Sequence, residues 1–440
     1  MLMRRDWIHH GVLYEVFPRN FSPDGDLAGV TRRLDGLAFM GIDVVWLMPI
    51  HPIGALHRKG PEGSPYSIAD HRAVDPAVGS MDDLRDLVAV AHRHGMRVIM
   101  DFVGNHGAWD GVVARDHPEW ILRGDAGEMI PAKPQWRDVV GFDLGNPDLR
   151  RYLVETLLYW VREADVDGFR CDVAGLLPVS FWEEARAALD QVKPDAGLLA
   201  EAHDPKLMGV FDLCYDTPLY GALRRIIRGG APVQQIWDAR DRFLADFPAG
   251  AGRMTFIENH DQRRAASYFR SDEGSAALAA AVLLFTFEGT PLLYAGQEIG
   301  SCASTHRGGL FEGRPIDWDV GGLEPAMLWD VGSDPWMLYQ HLLWLRRAQP
   351  ALVRGGLRPL DPGHPGVVAY VRTRPPGCLA EGKDIVVAVN LSPEPATLWL
   401  AELPLDFRRG LVSSGGGIGT VFYVGGKLTL GPWAWVISEQ

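Results

Sequence analysis

Cysteine is scarce in this chain. Its 440 residues hold four, Cys171, Cys214, Cys302 and Cys378, with no CxxC pair. That spacing argues against a zinc-ribbon ligand set and a disulfide-dense scaffold. Buried free thiols are the ordinary reading, and they fit a reducing compartment. Positive charge is also in short supply: 43 Lys and Arg face 56 Asp and Glu, for a formal net charge of −13. That balance speaks against a nucleic-acid partner. Residues 275–288 are apolar but too few to span a membrane, so no membrane partner is expected. The opening MLMRRDWIHHGVLYEVF has no continuous apolar signal segment. A cytoplasmic location is therefore expected, with secretion left open if a leader was removed.

Aromatic residues are abundant, with 15 Trp, 17 Phe and 11 Tyr. Most belong in a core. Some suit a cleft, because an aromatic face packs well against the apolar face of a sugar ring. A neutral, hydroxyl-rich ligand needs no basic patch. The length suits one large domain of ~250–350 residues plus a smaller one.

Apolar runs recur as strand candidates at 12–17, 43–47, 97–102, 167–171, 197–201, 210–214, 254–258 and 291–296. Helical patterns fill several of the intervals, including 31–40, a stretch opened by Ser80-x-x-Asp83 and closed by Gly95, and 181–191. Eight strands in series favour an α/β fold of the (β/α)8 TIM-barrel type. Residues 105–143 interrupt it with a Gly-, Pro-, Asp- and Trp-rich stretch of little periodicity, and a loop that long is usually functional. After about residue 350 short strands replace the alternation, as in VVAYVRT at 367–373 and DIVVAVNLS at 384–392. They predict a C-terminal antiparallel β-sandwich. The expected division is 1–104 and 144–350 for the barrel, 105–143 for the excursion and 351–440 for the sandwich.

Four stretches place polar groups at strand ends: DFVGNH at 101–106, GFRCDVA at 168–174, LLAEA at 198–202 and FIENHD at 256–261. In such a barrel those ends converge on one mouth. They supply Asp101, Asp172, Glu201, Glu258 and Asp261, with Arg170, His106 and His260 beside them. Splitting an acetal needs an acid for the leaving oxygen and charge stabilisation at the anomeric carbon. A retaining enzyme adds a carboxylate nucleophile ~5–5.5 Å from the acid. Asp172 and Glu201 end adjacent strands, where that gap is feasible. Arg170, two residues before Asp172, is placed to keep it ionised. The apolar run before Glu201 is expected to raise its pKa, as suits a general acid. Asp101 suits an orienting role, and the two histidines suit sugar hydroxyls. Each motif alone has a plainer reading, as an ion pair, a stray strand-end charge or a local hydrogen bond. Their joint placement at separate strand ends is what carries the argument.

Together these motifs resemble the alpha-amylase superfamily, glycoside hydrolase family 13, over roughly residues 11–440. The first family motif is matched by Asp101, Asn105 and His106, the second by Arg170 and Asp172, the third by Glu201, and the fourth by Asn259, His260 and Asp261. The resemblance implies Asp172 as nucleophile, Glu201 as acid/base and Asp261 as transition-state stabiliser. Tyr66, in SPYSIADH, matches the family aromatic that stacks on the sugar, while His71 stands where a Tyr is common. Residues 105–143 would then be a short domain B and the sandwich a domain C. The second motif continues Val173-Ala174-Gly175-Leu176, without the Lys-His of many calcium-dependent amylases. The chemistry itself requires no cofactor; a structural calcium stays open, with Asn105 as its candidate ligand. The implied activity is retaining hydrolysis of alpha-1,4 bonds in starch-derived glucans or maltooligosaccharides. A 4-alpha-glucanotransferase, a cyclomaltodextrinase or neopullulanase-like enzyme and an alpha-glucosidase are the alternatives. A non-catalytic glycan-binding protein is the alternative of another class, disfavoured because all three carboxylates are kept. Oligomeric state is not legible.

Overall fold

The barrel strands are buried along nearly their whole length, on both faces, as parallel strands roofed by helices must be. In the computed structural model β1 is Leu13–Val16, β2 Val44–Leu47, β3 Arg97–Phe102 and β4 Gly168–Cys171. β5 is Gly197–Ala200, β6 Leu213–Tyr215, β7 Gly252–Thr255 and β8 Thr290–Tyr294. They close into a barrel in chain order, with β8 pairing parallel to β1. The structure describes residues 5–269, 275–301, 335–375, 383–399, 410–413, 421–424 and 427–439. Cys302 and Cys378 lie outside the described residues.

The eight-stranded barrel read from the sequence is borne out, and β3 matches it residue for residue. Two strands are displaced. β6 begins at Leu213 because Val210 and Phe211 follow a 3-10 turn, Pro205–Gly209, and bury their side chains from the loop. β7 ends at Thr255, so Glu258 lies beyond the strand. The helix expected over 31–40 is instead two short ones, Leu27–Thr31 and Leu34–Met40, the first capped by the Asp26 carboxylate. The helix Met81–Arg93 begins with the expected reciprocal Ser80–Asp83 capping box. The excursion after β3 folds back on itself through a small antiparallel pair, His106–Ala108 with Val139–Gly141.

Beyond the barrel, a five-stranded antiparallel sheet faces a three-stranded one. Val367, Ala369 and Ala388 of the first pack with Leu398, Leu428 and Leu430 of the second, giving the sandwich its own small core. The sandwich also leans on the barrel. Its Arg372 donates to the carbonyls of Thr286 and Phe287, both at 2.8 Å, and Tyr370 Oη meets Thr286 Oγ1 at 2.6 Å. Those carbonyls end the helix Ser275–Thr286, which is apolar all round and buried for that reason.

Candidate active site

Four barrel strands aim polar side chains at one guanidinium. Arg170, on β4, is fully buried. Its Nη1 bonds Asp101 on β3 and reaches Asp172 Oδ1 at 3.0 Å, while Nη2 lies 2.8 Å from Glu201 Oε2. Its Nε donates to Tyr215 Oη on β6 at 3.1 Å. Burial works against the charge of Arg170, and Asp101 and Glu201 more than offset it, so its pKa rises well above the ordinary value. The geometry follows from register: β3 and β4 pair Asp101 with Arg170, and β4 and β5 run side by side, bringing Asp172 and Glu201 off neighbouring strand ends.

The expected electrostatics need correction at Asp172. Burial, then the neighbouring Glu201, push Asp172 well above the carboxylate range, with Arg170 pulling the other way. One guanidinium shared among three carboxylates does not hold Asp172 ionised by itself. Leu198, Leu199 and Ala200 are buried in the barrel wall, whereas Glu201 emerges into the cleft and accepts the Val173 N–H at 2.7 Å. Val173 reaches that position with φ of +39°, a left-handed conformation that a β-branched residue rarely adopts. Strain of this kind gathers at functional sites.

On the opposite rim, His260 is tied down on both ring nitrogens. Nδ1 meets the buried Glu15 on β1 at 2.5 Å, and Nε2 meets Tyr66 Oη at 2.8 Å and Asp261 Oδ2 at 3.3 Å. Burial opposes its charge, but Asp261 and Glu15 together drive its pKa well up. Tyr66 stacks on the same imidazole with ring centroids 5.5 Å apart. Asp261 projects from the loop after β7, and its N–H donates to Asn259 Oδ1 at 2.9 Å. His106 Nε2 sits 3.9 Å from Asp172, and burial lowers its pKa to about 4, so it is neutral. Trp46 Nε1 donates to Asp101 at 3.0 Å.

Tyr66, His106, Asp172, Glu201, His260 and Asp261 line one lobe of the cleft, of about 640 Å³. Glu258 does not join them: it pairs with Arg264 at 2.7 Å. Asn105 is buried beside His106, its amide nitrogen 3.3 Å from Nδ1. Among the described residues no three His, Cys, Asp or Glu converge as a metal-binding set. Reading the sequence missed Glu15, Trp46 and Tyr215 as parts of this network. Glu15 did leave a signal, a carboxylate inside the apolar strand LYEV.

A closed parallel barrel with three carboxylates in one cleft at its mouth defines a barrel enzyme built for carboxylate chemistry. Residues 12–117 and 232–335 match the family profile described as "Alpha amylase, catalytic domain". The alpha-amylase of Lactobacillus plantarum is 30% identical with a TM-score of 0.81, and each chain covers 100% of the other. AmyB of Thermotoga neapolitana, titled a noncanonic maltogenic alpha-amylase, has 30% identity and a TM-score of 0.81 with 99% of both chains covered. Alpha-amylase MalA of Haloarcula japonica is 31% identical over 90% of this chain, which spans 57% of MalA's length. The chain belongs to the alpha-amylase superfamily, glycoside hydrolase family 13.

Proposed function

We propose that the protein is a retaining glycosidase of the alpha-amylase type, cleaving alpha-1,4-glucosidic bonds in starch-derived glucans or maltooligosaccharides. The observation that carries the reading is the placement of Asp172 and Glu201 on neighbouring strand ends, both in contact with the Arg170 guanidinium and both lining one cleft with Asp261. Asp172 attacks the anomeric carbon. As the glycosidic C–O bond breaks, Glu201 gives its proton to the leaving oxygen and a covalent glycosyl–Asp172 ester forms. Water then enters, Glu201 takes its proton, and attack at the same carbon frees Asp172. Asp261 stabilises the positive charge developing on the ring. The first step needs the proton on Glu201 and a charged Asp172. Relatives point the same way: Cyclomaltodextrinase of Geobacillus thermopakistaniensis is 28% identical over 92% of this chain, so cyclic or branched glucans belong among the substrates to try.

The test is incubation with maltoheptaose, following every product and its anomeric form over time. Short alpha-anomeric products are expected. Early products longer than the substrate would move the assignment to a glucanotransferase. Beta-anomers at first release would exclude the covalent route.

A further inference from the structure

The cleft has two lobes. The first is lined by Asp172, with Tyr66, His106 and His260. The second, about 990 Å³ against about 640 Å³, is lined by Gly175, Ala202, His203 and Thr217 and lacks Asp172. Val173, Glu201 and Asp261 line both. On the mechanism proposed above, on which this inference rests, the sugar under attack must sit against Asp172 while the leaving oxygen sits against Glu201. The first lobe therefore takes the non-reducing side of the chain, and the second takes the departing sugars.

The first lobe carries an ion pair that the mechanism does not use. Lys59 Nζ lies 2.6 Å from Asp138 Oδ1, and both residues line the lobe. The Asp138 side chain is 4% exposed and that of Lys59 54%. The two come from different segments, Lys59 from the loop after β2 and Asp138 from the excursion after β3, so the pair spans a seam. That seam is stitched in other places. Asp110 Oδ2 accepts the N–H groups of Ala55 and Leu56 at 2.9 and 3.2 Å, and the His57 ring meets Trp109 at 5.3 Å. Arg58 donates to the carbonyls of Ile53 and Gly54, both at 3.0 Å, and fixes the loop from within. Asp138 is buried while Lys59 is more than half exposed, so the carboxylate anchors a cation that stays open to the lobe and to solvent.

We infer that Lys59, held by Asp138, limits the first lobe to a short non-reducing end, so that the enzyme releases glucose or maltose from that end. An ammonium group offers three hydrogen-bond donors and no acceptor, which suits the terminal hydroxyls of a sugar. Lys59 is thus a specificity-determining residue for the reaction.

The experiment uses the full chain and maltoheptaose labelled at its reducing end, comparing wild type with the double variant K59A/D138N, which removes the pair without stranding a buried charge. Wild type should release unlabelled glucose or maltose. The double variant should raise the ratio of unlabelled maltotriose and longer products to maltose by about tenfold, equivalent to ~1.4 kcal/mol. Lys59→Arg, which keeps the cation, should keep the short products. A second measurement needs no variant. A maltoheptaoside whose terminal 4- and 6-hydroxyls are bridged by an ethylidene cap should be cut at least ~tenfold more slowly than the uncapped substrate, a loss of ~1.4 kcal/mol. Unchanged product lengths in a folded double variant, or equal rates on capped and uncapped chains, would overturn the inference alone. No cleavage of maltoheptaose by wild type would overturn the hydrolase reading and this inference with it.

Discussion

At the scale of single residues, the site is a set of carboxylates competing for few protons and one guanidinium. Loss of the acid's proton should set the alkaline limb of kcat/KM, because no acid then remains to protonate the leaving oxygen. With an activated aryl glycoside, Glu201→Gln should abolish that limb; a limb unchanged in the variant would remove Glu201 from the acid's place. Asp172 also sets a cost in stability. Its folded-state pKa is raised, so the charged form is disfavoured at neutral pH, and that penalty fades as pH falls through the raised value. Asp172→Asn should therefore raise the thermal midpoint at neutral pH, by about 1–2 kcal/mol in stability, while removing activity. The gain should shrink in acid. A variant melting below wild type at pH 7 would count against this account.

How much of the site the sequence disclosed also divides at this scale. Asp101, Arg170, Asp172 and Glu201 were legible because each ends an apolar run, and apolar runs mark strands. Partners across the barrel were not. Nothing local in LYEV or ENHD pairs Glu15 with His260, and nothing in HRKG pairs Lys59 with Asp138. Those pairings exist only once tertiary packing brings the segments together. The direction of the Asp172 shift was misjudged for the same reason: one nearby arginine was visible in sequence, but the depth of burial and the rival carboxylates were not.

At the scale of elements, strand ends and the first residues after them matter most. Strands were placed well where an apolar run stops at a charge, as at β3, and poorly where apolar loop residues adjoin them, as Val210 and Phe211 do before β6. The turn after β4 is the strained one. Val173 holds a positive φ so that its N–H can reach Glu201. Glycine adopts that conformation without steric cost. Val173→Gly should relieve strain of about 1 kcal/mol while lowering kcat through a looser Glu201. Urea melts and kcat on the same preparations would check it, and a variant both less stable and fully active would contradict it.

At the scale of the whole molecule, the sandwich covers a face the barrel cannot leave open. The helix Ser275–Thr286 is apolar on all sides, and Arg372 and Tyr370 of the sandwich cap its end. A chain ending at residue 355 should expose that surface and aggregate, as exposed apolar patches do. Sedimentation of the shortened protein after expression decides the matter; a stable, monodisperse barrel would show that the sandwich is dispensable for solubility.

Glu15 and His260 are 245 positions apart, yet each fixes the other. Ribosomes deliver chains from the N-terminus, so the first strand's carboxylate waits in the growing polypeptide until most of the barrel has been made. Sugar binding should accordingly be among the last properties to arrive during synthesis or refolding, well after helical signal has returned. For this protein the appearance of activity is a clock for closure of the ring.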